Sequence, residues 1–297
     1  MRVKFGVCLP NFGKNSSRES IGKIARAAEE LGYDSIWVTD HILMPRNLSY
    51  PYGRIYEPLI TLAYVAAITQ QVRLGTSIIV LPMRNAVITA KELATLDNLS
   101  GGRLIAGFAV GWAEEEFRNL GASFRGRGDL FSEQLKLLKT LWSSRTPTFI
   151  GKYHKIESAI FDPRPIQPDG PPIWLGGHSR AAVRRALSLA DGWHFSGIPL
   201  DEFHDRMKLV QSSNHGGFVV SGRFSVDLSG KSPRETIAPT GIKRVMLSGV
   251  PQQVIEQLSP YADAGASYFV LNFGDKQTDK IIEDMKIFTR EVEPSFS

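Results

Sequence analysis

The chain has 297 residues, 42% of them hydrophobic and 22% charged, enough apolar material for one large core or two medium ones. Its formal charge of +5 and pI near 9.3 come from scattered basic residues; a nucleic-acid face concentrates them in a denser stripe, so the balance argues for small anionic ligands instead. No apolar run approaches the roughly 20 residues that span a bilayer, the first residues show no signal-peptide core, and the single cysteine, Cys8, excludes an intrachain disulfide framework. The prediction is a cytoplasmic protein with a small-molecule substrate and neither a nucleic-acid nor a membrane partner.

Strand-like and helix-like stretches alternate along the whole chain. An apolar strand at 3–9 precedes a helix in which Ile21, Ile24, Ala25, Ala28 and Leu31 recur at helical spacing, stopped by Gly32. Strands at 35–39, 72–82 and 102–111 alternate with helices at 57–71, 85–100 and 128–142, the first of these with Pro58 in its opening turn. Strands at 171–177, 191–197, 218–228 and 267–273 alternate with helices at 179–190, 201–213, 250–265 and 279–292. The strands are apolar on both parities, the signature of parallel strands covered on both faces. Eight such units without a composition break predict a single-domain α/β protein over 1–297, a (β/α)8 TIM barrel; a doubly wound open sheet is the alternative. The stretch 143–170 is too long for a simple connection, and five prolines fall between Pro163 and Pro172. It reads as an excursion before the fifth strand, a short hairpin and an extended arm, of the kind that shapes an active-site rim.

In a closed barrel the chemistry gathers at the carboxyl ends of the strands. Those ends read Pro10-Asn11, Asp40-His41, Thr76-Ser77-Ile78, Gly107 to Trp112, Gly176-Gly177-His178-Ser179 and Phe195-Ser196. Asp40 and His41 suit a pair that holds a cofactor ring and handles a proton, since histidine titrates near neutrality; a capping aspartate beside a packed histidine is the plain alternative. Gly176 to Ser179 open a helix directly after a strand, where free N–H groups and the helix dipole attract a phosphate. A merely capped turn would use the same residues. Trp112, after Gly111, can wall a planar ring or simply cover the barrel top. Thr76 and Ser77 interrupt a strand with small hydroxyls and invite a bulge. The chain holds no GxGxxG, Walker A or GxSxG pattern, and its six histidines have no zinc-type spacing, so no metal is expected.

With these residues assembled, the chain resembles the bacterial-luciferase-like superfamily, and within it the branch dependent on the deazaflavin coenzyme F420. The likeness rests on AEELGYDSIWVTDH, on VRLGTSIIVLPMRNAVITAKELATLDNLSGGRLIAGFAVGWAEEEF, on PPIWLGGHSRAAVRRALSLADGW and on YADAGASYFVLNF. It implies a (β/α)8 barrel with an insertion near the mouth, a homodimer, and hydride transfer between bound F420, or alternatively FMN, and an organic substrate. Carried onto this sequence, it puts Asp40 on the cofactor ring and His41, the catalytic residue, over its reactive carbon as an acid/base or substrate-orienting group. It places Ser77 and Ile78 in a bulge behind the ring that in relatives often contains a non-proline cis peptide, adds Thr76 as a cofactor-binding candidate, and puts Gly111 and Trp112 beside the ring and Gly176, Gly177, His178 and Ser179 around the phosphate. Trp112 departs from sugar-phosphate dehydrogenases of that branch that carry a glutamate there as proton donor, which argues against a glucose-6-phosphate-type reaction. An FMN-dependent monooxygenase is the second reading, and a non-redox barrel or non-catalytic flavin binder the third. The substrate is expected to be set by the 42–56 loop and the 143–170 excursion.

Overall fold

The computed structural model describes residues 2–213 and 215–297. Its eight central strands are β1 (Lys4–Cys8), β2 (Ser35–Val38), β3 (Arg73–Thr76), β4 (Leu104–Ala109), β5 (Ile173–Gly176), β6 (Gly192–Ser196), β7 (Val219–Asp227) and β8 (Tyr268–Asn272). Each pairs in parallel with the next, and β8 returns to β1 through the register Lys4↔Tyr268 to Val7↔Leu271, so the sheet closes on itself. The open-sheet alternative is thereby excluded. Around the cylinder run α1 (Arg18–Glu30), α2 (Pro58–Ala66), α3 (Ala86–Leu99), α4 (Arg127–Ser143), α5 (Arg180–Leu189), α6 (Leu200–Gln211), α7 (Pro251–Asp263) and α8 (Thr278–Glu291).

Local signals explain where the helices begin and end. Ser17 caps α1 and exchanges hydrogen bonds with Ser20, Glu57 and Pro58 open α2, Asn85 accepts from the N–H groups of Val87 and Ile88 at α3, and Ser179 accepts from Ala182 at α5. Gly32, at φ +80°, releases the chain from α1. The inward stripe of α1 is the predicted one, with Ile21, Ile24, Ala25 and Ala28 buried.

Two apolar layers result. The larger lies between strands and helices; the smaller fills the barrel with Cys8, Trp37, Ile105, Trp174, Tyr268 and Val270. Trp37 stacks on Trp174 at 5.2 Å between ring centres and on His194 at 5.2 Å. Its indole fits because the neighbouring strands carry glycine: a Cβ on Gly75 would lie 2.2 Å from the Trp37 ring. Burial of such an aromatic contributes on the order of 2–3 kcal/mol, and it plugs the barrel floor beneath the strand ends.

Two long connections interrupt the repeat. Residues 144–172 carry a hairpin, Phe149–Ile150 against Lys155–Ile156, whose turn is pinned to α4 by Glu133 through the N–H groups of Lys152, Tyr153 and His154. The following arm is tied down by Asp97, which accepts from Ile166 and Gln167, while the Gln167 amide donates to the carbonyl of Leu104 at the start of β4. The second connection, 228–249, holds a strand Lys243–Ser248 that pairs in parallel with the end of β7 and antiparallel with Glu235–Ile237. The sequence reading assigned no element there.

Candidate active site

At the carboxyl ends of the strands lies a cavity of about 330 Å³, a size in the range of cofactor and ligand sites. Ten of the eleven predicted site residues line it: Asp40, His41, Ser77, Ile78, Gly111, Trp112 and the run Gly176, Gly177, His178 and Ser179. Thr76 is the exception. Its hydroxyl donates to the carbonyl of Gly107 at 2.9 Å and accepts from the Gly107 N–H at 2.8 Å, so it is spent joining β3 to β4, and it is fully buried beneath the cavity. The rim expectation for the 143–170 excursion is also corrected: none of it lines the cavity, because Asp97 and Glu133 hold it elsewhere. Thr240, Ile242 and Arg244 of the later connection supply that wall, joined by Tyr52 of the 42–56 loop beside Arg244.

His41 is 6% exposed, and its Nδ1 lies 2.8 Å from Oε2 of Glu116. The other Glu116 oxygen accepts from the N–H groups of Ile42 at 2.7 Å and Leu43 at 3.2 Å. Burial would raise the Glu116 pKa, but the bond and charge of His41 together with the two backbone donors outweigh it and hold the carboxyl below its ordinary range. An ionised Glu116 makes Nδ1 the donor. It thereby fixes the tautomer of His41 and leaves Nε2 as the nitrogen with no protein partner among the described residues. The Tyr52 ring packs 4.6 Å from the imidazole and the Trp112 ring meets it edge-on at 5.7 Å, so two aromatic side chains confine it.

Asp40 behaves differently from its neighbour. One carboxylate oxygen accepts from Val80 N–H at 2.9 Å, the other pairs with Arg84 at 2.7 Å, and its side chain is fully enclosed. The carboxylate implied to touch a ring is thus engaged inside the protein, where it ties the end of β2 to the segment following the bulge. The Ser77–Ile78 peptide is cis, as the resemblance implies. Ser77 Oγ meets His194 Nε2 at 2.9 Å, His194 Nδ1 meets Ser221 at 2.9 Å, and the Ser77 carbonyl accepts from Arg223 at 3.0 Å. Burial, reinforced by Arg223, lowers the His194 pKa to about 3, so this imidazole is a neutral relay of hydrogen bonds near pH 7.

The turn after β5 supplies donors. The first N–H groups of a helix have no partner within it; Ser179 takes that of Ala182 at 3.1 Å, leaving those of Arg180 and Ala181. Gly177 has φ +130°, and a Cβ there would lie 2.7 Å from Ala182 Cβ, so only glycine brings strand and helix this close. His178 Nε2 accepts from Ser196 N–H at 3.3 Å, which puts the proton of the neutral ring on Nδ1; that atom is buried with no hydrogen-bond partner among the described residues. Burial, with Arg244 and Arg206 adding, lowers the His178 pKa to about 4. A neutral imidazole therefore presents an unused N–H beside the capped helix start.

The sequence profile of luciferase-like monooxygenases matches residues 3–217. The chain belongs to the luciferase-like monooxygenase family. An F420-dependent glucose-6-phosphate dehydrogenase of Amycolatopsis mediterranei is 26% identical to it over 309 residues, covering 88% of this chain and 91% of that one. Among solved structures, the monooxygenase RslO1 of Streptomyces bottropensis superposes with a TM-score of 0.84 at 20% identity over 99% of this chain and 100% of that one. The coenzyme F420-dependent tetrahydromethanopterin reductase of Methanopyrus kandleri gives 0.80 at 19%, with both chains fully covered. At those identities the superpositions show the fold alone; the family rests on the profile.

Sequence reasoning missed Glu116, Tyr52, Arg84, His194, Arg223 and Arg244. Arg223 carried a readable signal, as an arginine in the middle of the otherwise uncharged stretch FVVSGRFSV. Glu116 is one of three consecutive glutamates, and only the phase of the short helix Glu114–Asn119 turns it inward with Phe117.

Proposed function

We propose that this luciferase-like chain is an oxidoreductase that transfers hydride between coenzyme F420 and a small organic substrate, with His41 as the acid/base. The observation that carries the reading is convergence on one cavity: the oriented His41–Glu116 pair, the apolar wall of Ile78, Val80 and Ala109, and the β5–α5 turn with its unused His178 N–H. These residues fit a tricyclic ring ending in a phosphate. The orphaned Nδ1–H of His178, the hydroxyl of Ser179 and the N–H groups of Arg180 and Ala181 would hold the phosphate; Ile78 and Trp112 would bound the ring. When bound, the deazaflavin supplies the site for a hydride.

The protein's part is to orient and to move one proton. In substrate oxidation, Nε2 of His41 takes the proton of a substrate hydroxyl as the adjacent C–H gives up hydride; Nδ1–H stays on Glu116, whose negative charge stabilises the imidazolium that forms. In reduction Nε2 returns that proton. Trp112, Val110 and Tyr52 keep water from the reacting atoms. The similarity to an F420-dependent dehydrogenase over 88% of this chain supports the choice of cofactor.

The test is titration of the purified protein with F420 and, separately, FMN, followed by fluorescence. F420 binding that survives in His41→Ala, while turnover falls by 10²-fold or more, is the expected result. Tight binding of FMN with none of F420 moves the reading to a flavin-dependent monooxygenase, and binding of neither removes it.

A further inference from the structure

Next to the main cavity, on the side of β6, β7 and β8, lies a second chamber of about 190 Å³. Tyr52, Ser196, Arg223 and Arg244 stand on the boundary and line both. The rest of its wall adds the hydroxyls of Ser225 and Thr236 and the amide of Asn272, and among the described residues no acidic side chain lines it. Neither arginine has an ion-pair partner among the described residues. The hydrogen bond of Arg223 goes to the uncharged carbonyl of Ser77, and Nε of Arg244 is buried without a partner. Burial lowers the Arg244 pKa, the charge of Arg223 lowers it further, and only the phenol of Tyr52 opposes them. Two guanidiniums that repel each other across a part-buried, carboxylate-free chamber are costly unless something anionic completes them. Elsewhere in the molecule enclosed arginines are satisfied: Arg84 by Asp40 and Glu57, Arg103 by four backbone and hydroxyl oxygens of the α2–β3 region and the carbonyl of Ser100.

We infer that this chamber is an oxyanion subsite, in which Arg223 and Arg244 grip a carboxylate or phosphoryl group of the organic substrate while its reacting carbon stands in the main cavity. The inference rests on the function proposed above and narrows it to anionic substrates. The far wall of the chamber, though not Arg244, whose charge reaches His178, sets the subsite apart from the cofactor's phosphate. That group belongs to the β5–α5 turn, whereas Ser225, Thr236 and Asn272 lie on β7, on the connection after it and on β8. Tyr52 joins the two regions, with its ring against His41 and its hydroxyl beside Arg244. A substrate anion held there is therefore one side chain away from the acid/base. The anion has two possible sources, since the carboxylates of F420's tail share this chemistry with a substrate.

Calorimetric titration with inorganic phosphate tests the assignment on full-length protein saturated with FMN, which lacks the tail, and on protein saturated with F420. One phosphate per chain is expected in both forms. Its affinity should fall at least tenfold in Arg223→Met and in Arg244→Met and stay within twofold in Ser179→Ala. Because Arg223 also supports the Ser77 carbonyl, Arg244→Met and Arg244→Lys carry the test if Arg223→Met does not fold, the lysine variant retaining part of the affinity. Exclusion of phosphate by both cofactors, or its loss in Ser179→Ala alone, overturns the subsite. Exclusion by F420 but not FMN assigns the chamber to the tail and overturns the substrate inference. If neither cofactor binds, the function above fails by itself. The same variants titrated without cofactor then still decide the subsite, by whether the arginines or Ser179 control phosphate binding.

Discussion

The two walls of the site are built on opposite principles. On the β2–β4 side nearly every polar atom is spoken for: Asp40 by Arg84 and Val80, Glu116 by His41 and two backbone N–H groups, Thr76 by Gly107. On the β5–β7 side donors stand idle, with Nδ1 of His178 and Nε of Arg244 both buried and unpaired among the described residues. A wall that must place one imidazole to within a fraction of an ångström benefits from complete satisfaction, because each supporting bond removes a way for it to move. A wall that waits for anionic ligands has to keep its donors unsatisfied until they arrive.

The contrast can be broken most forcefully at Arg84. Arg84→Met strips the enclosed Asp40 of its counter-charge, and loss of one partner of a buried pair costs about 3–5 kcal/mol; urea unfolding should show that loss, and a change under 1 kcal/mol would mean the wall is not wired as described. Next in size is Glu116→Gln. The amide presents N–H to Nδ1 of His41, forces that nitrogen to accept and moves the proton to Nε2, so kcat should fall about 10²-fold with cofactor affinity unchanged. Unaltered kcat would dismiss Glu116 as an orienting group. On the opposite wall, Gly177→Ala forces a side chain into φ +130° against Ala182. It should cost about 1–3 kcal/mol and weaken cofactor binding, an effect absent if the turn holds no phosphate.

Acidification tests the same contrast without a substitution. His178 and His194 have folded pKa values of about 4 and about 3, below the 6.5 of a free imidazole. The unfolded chain therefore binds more protons than the folded one within that window. Stability is fully present above pH 6.5 and is lost as pH falls through 4 toward 3, with Glu116, also depressed, losing its contribution below its usual range. Urea midpoints at pH 7, 5 and 4 should decline in that order; a midpoint that rises on acidification contradicts the burial of these rings.

The barrel was legible because its strands are apolar on both parities and its helices carry ordinary caps, signals local enough to read along one chain. The strand Lys243–Ser248 was not, since a segment opening on Lys243 and Arg244 after Pro239 and Gly241 reads as a loop, and it becomes a strand only by pairing with the end of β7. Likewise His41 stands out at a strand end, whereas Glu116, 75 residues later, is recognisable only once the fold brings the two together. Asp40 shows the converse: its place at the site was readable, but not that Arg84 would claim its carboxylate.

The central claim is that one redox ring lies between the β3 bulge and His41 with its phosphate on the β5–α5 turn, and a crystal structure of the F420 complex tests it most directly. The account predicts the ring packed on Ile78, His41 Nε2 at its reactive edge, and a phosphate oxygen within hydrogen-bonding distance of His178 Nδ1 and the Ser179 hydroxyl. A phosphate seated away from Gly177, or a ring that leaves His41 facing a different cavity, would contradict it.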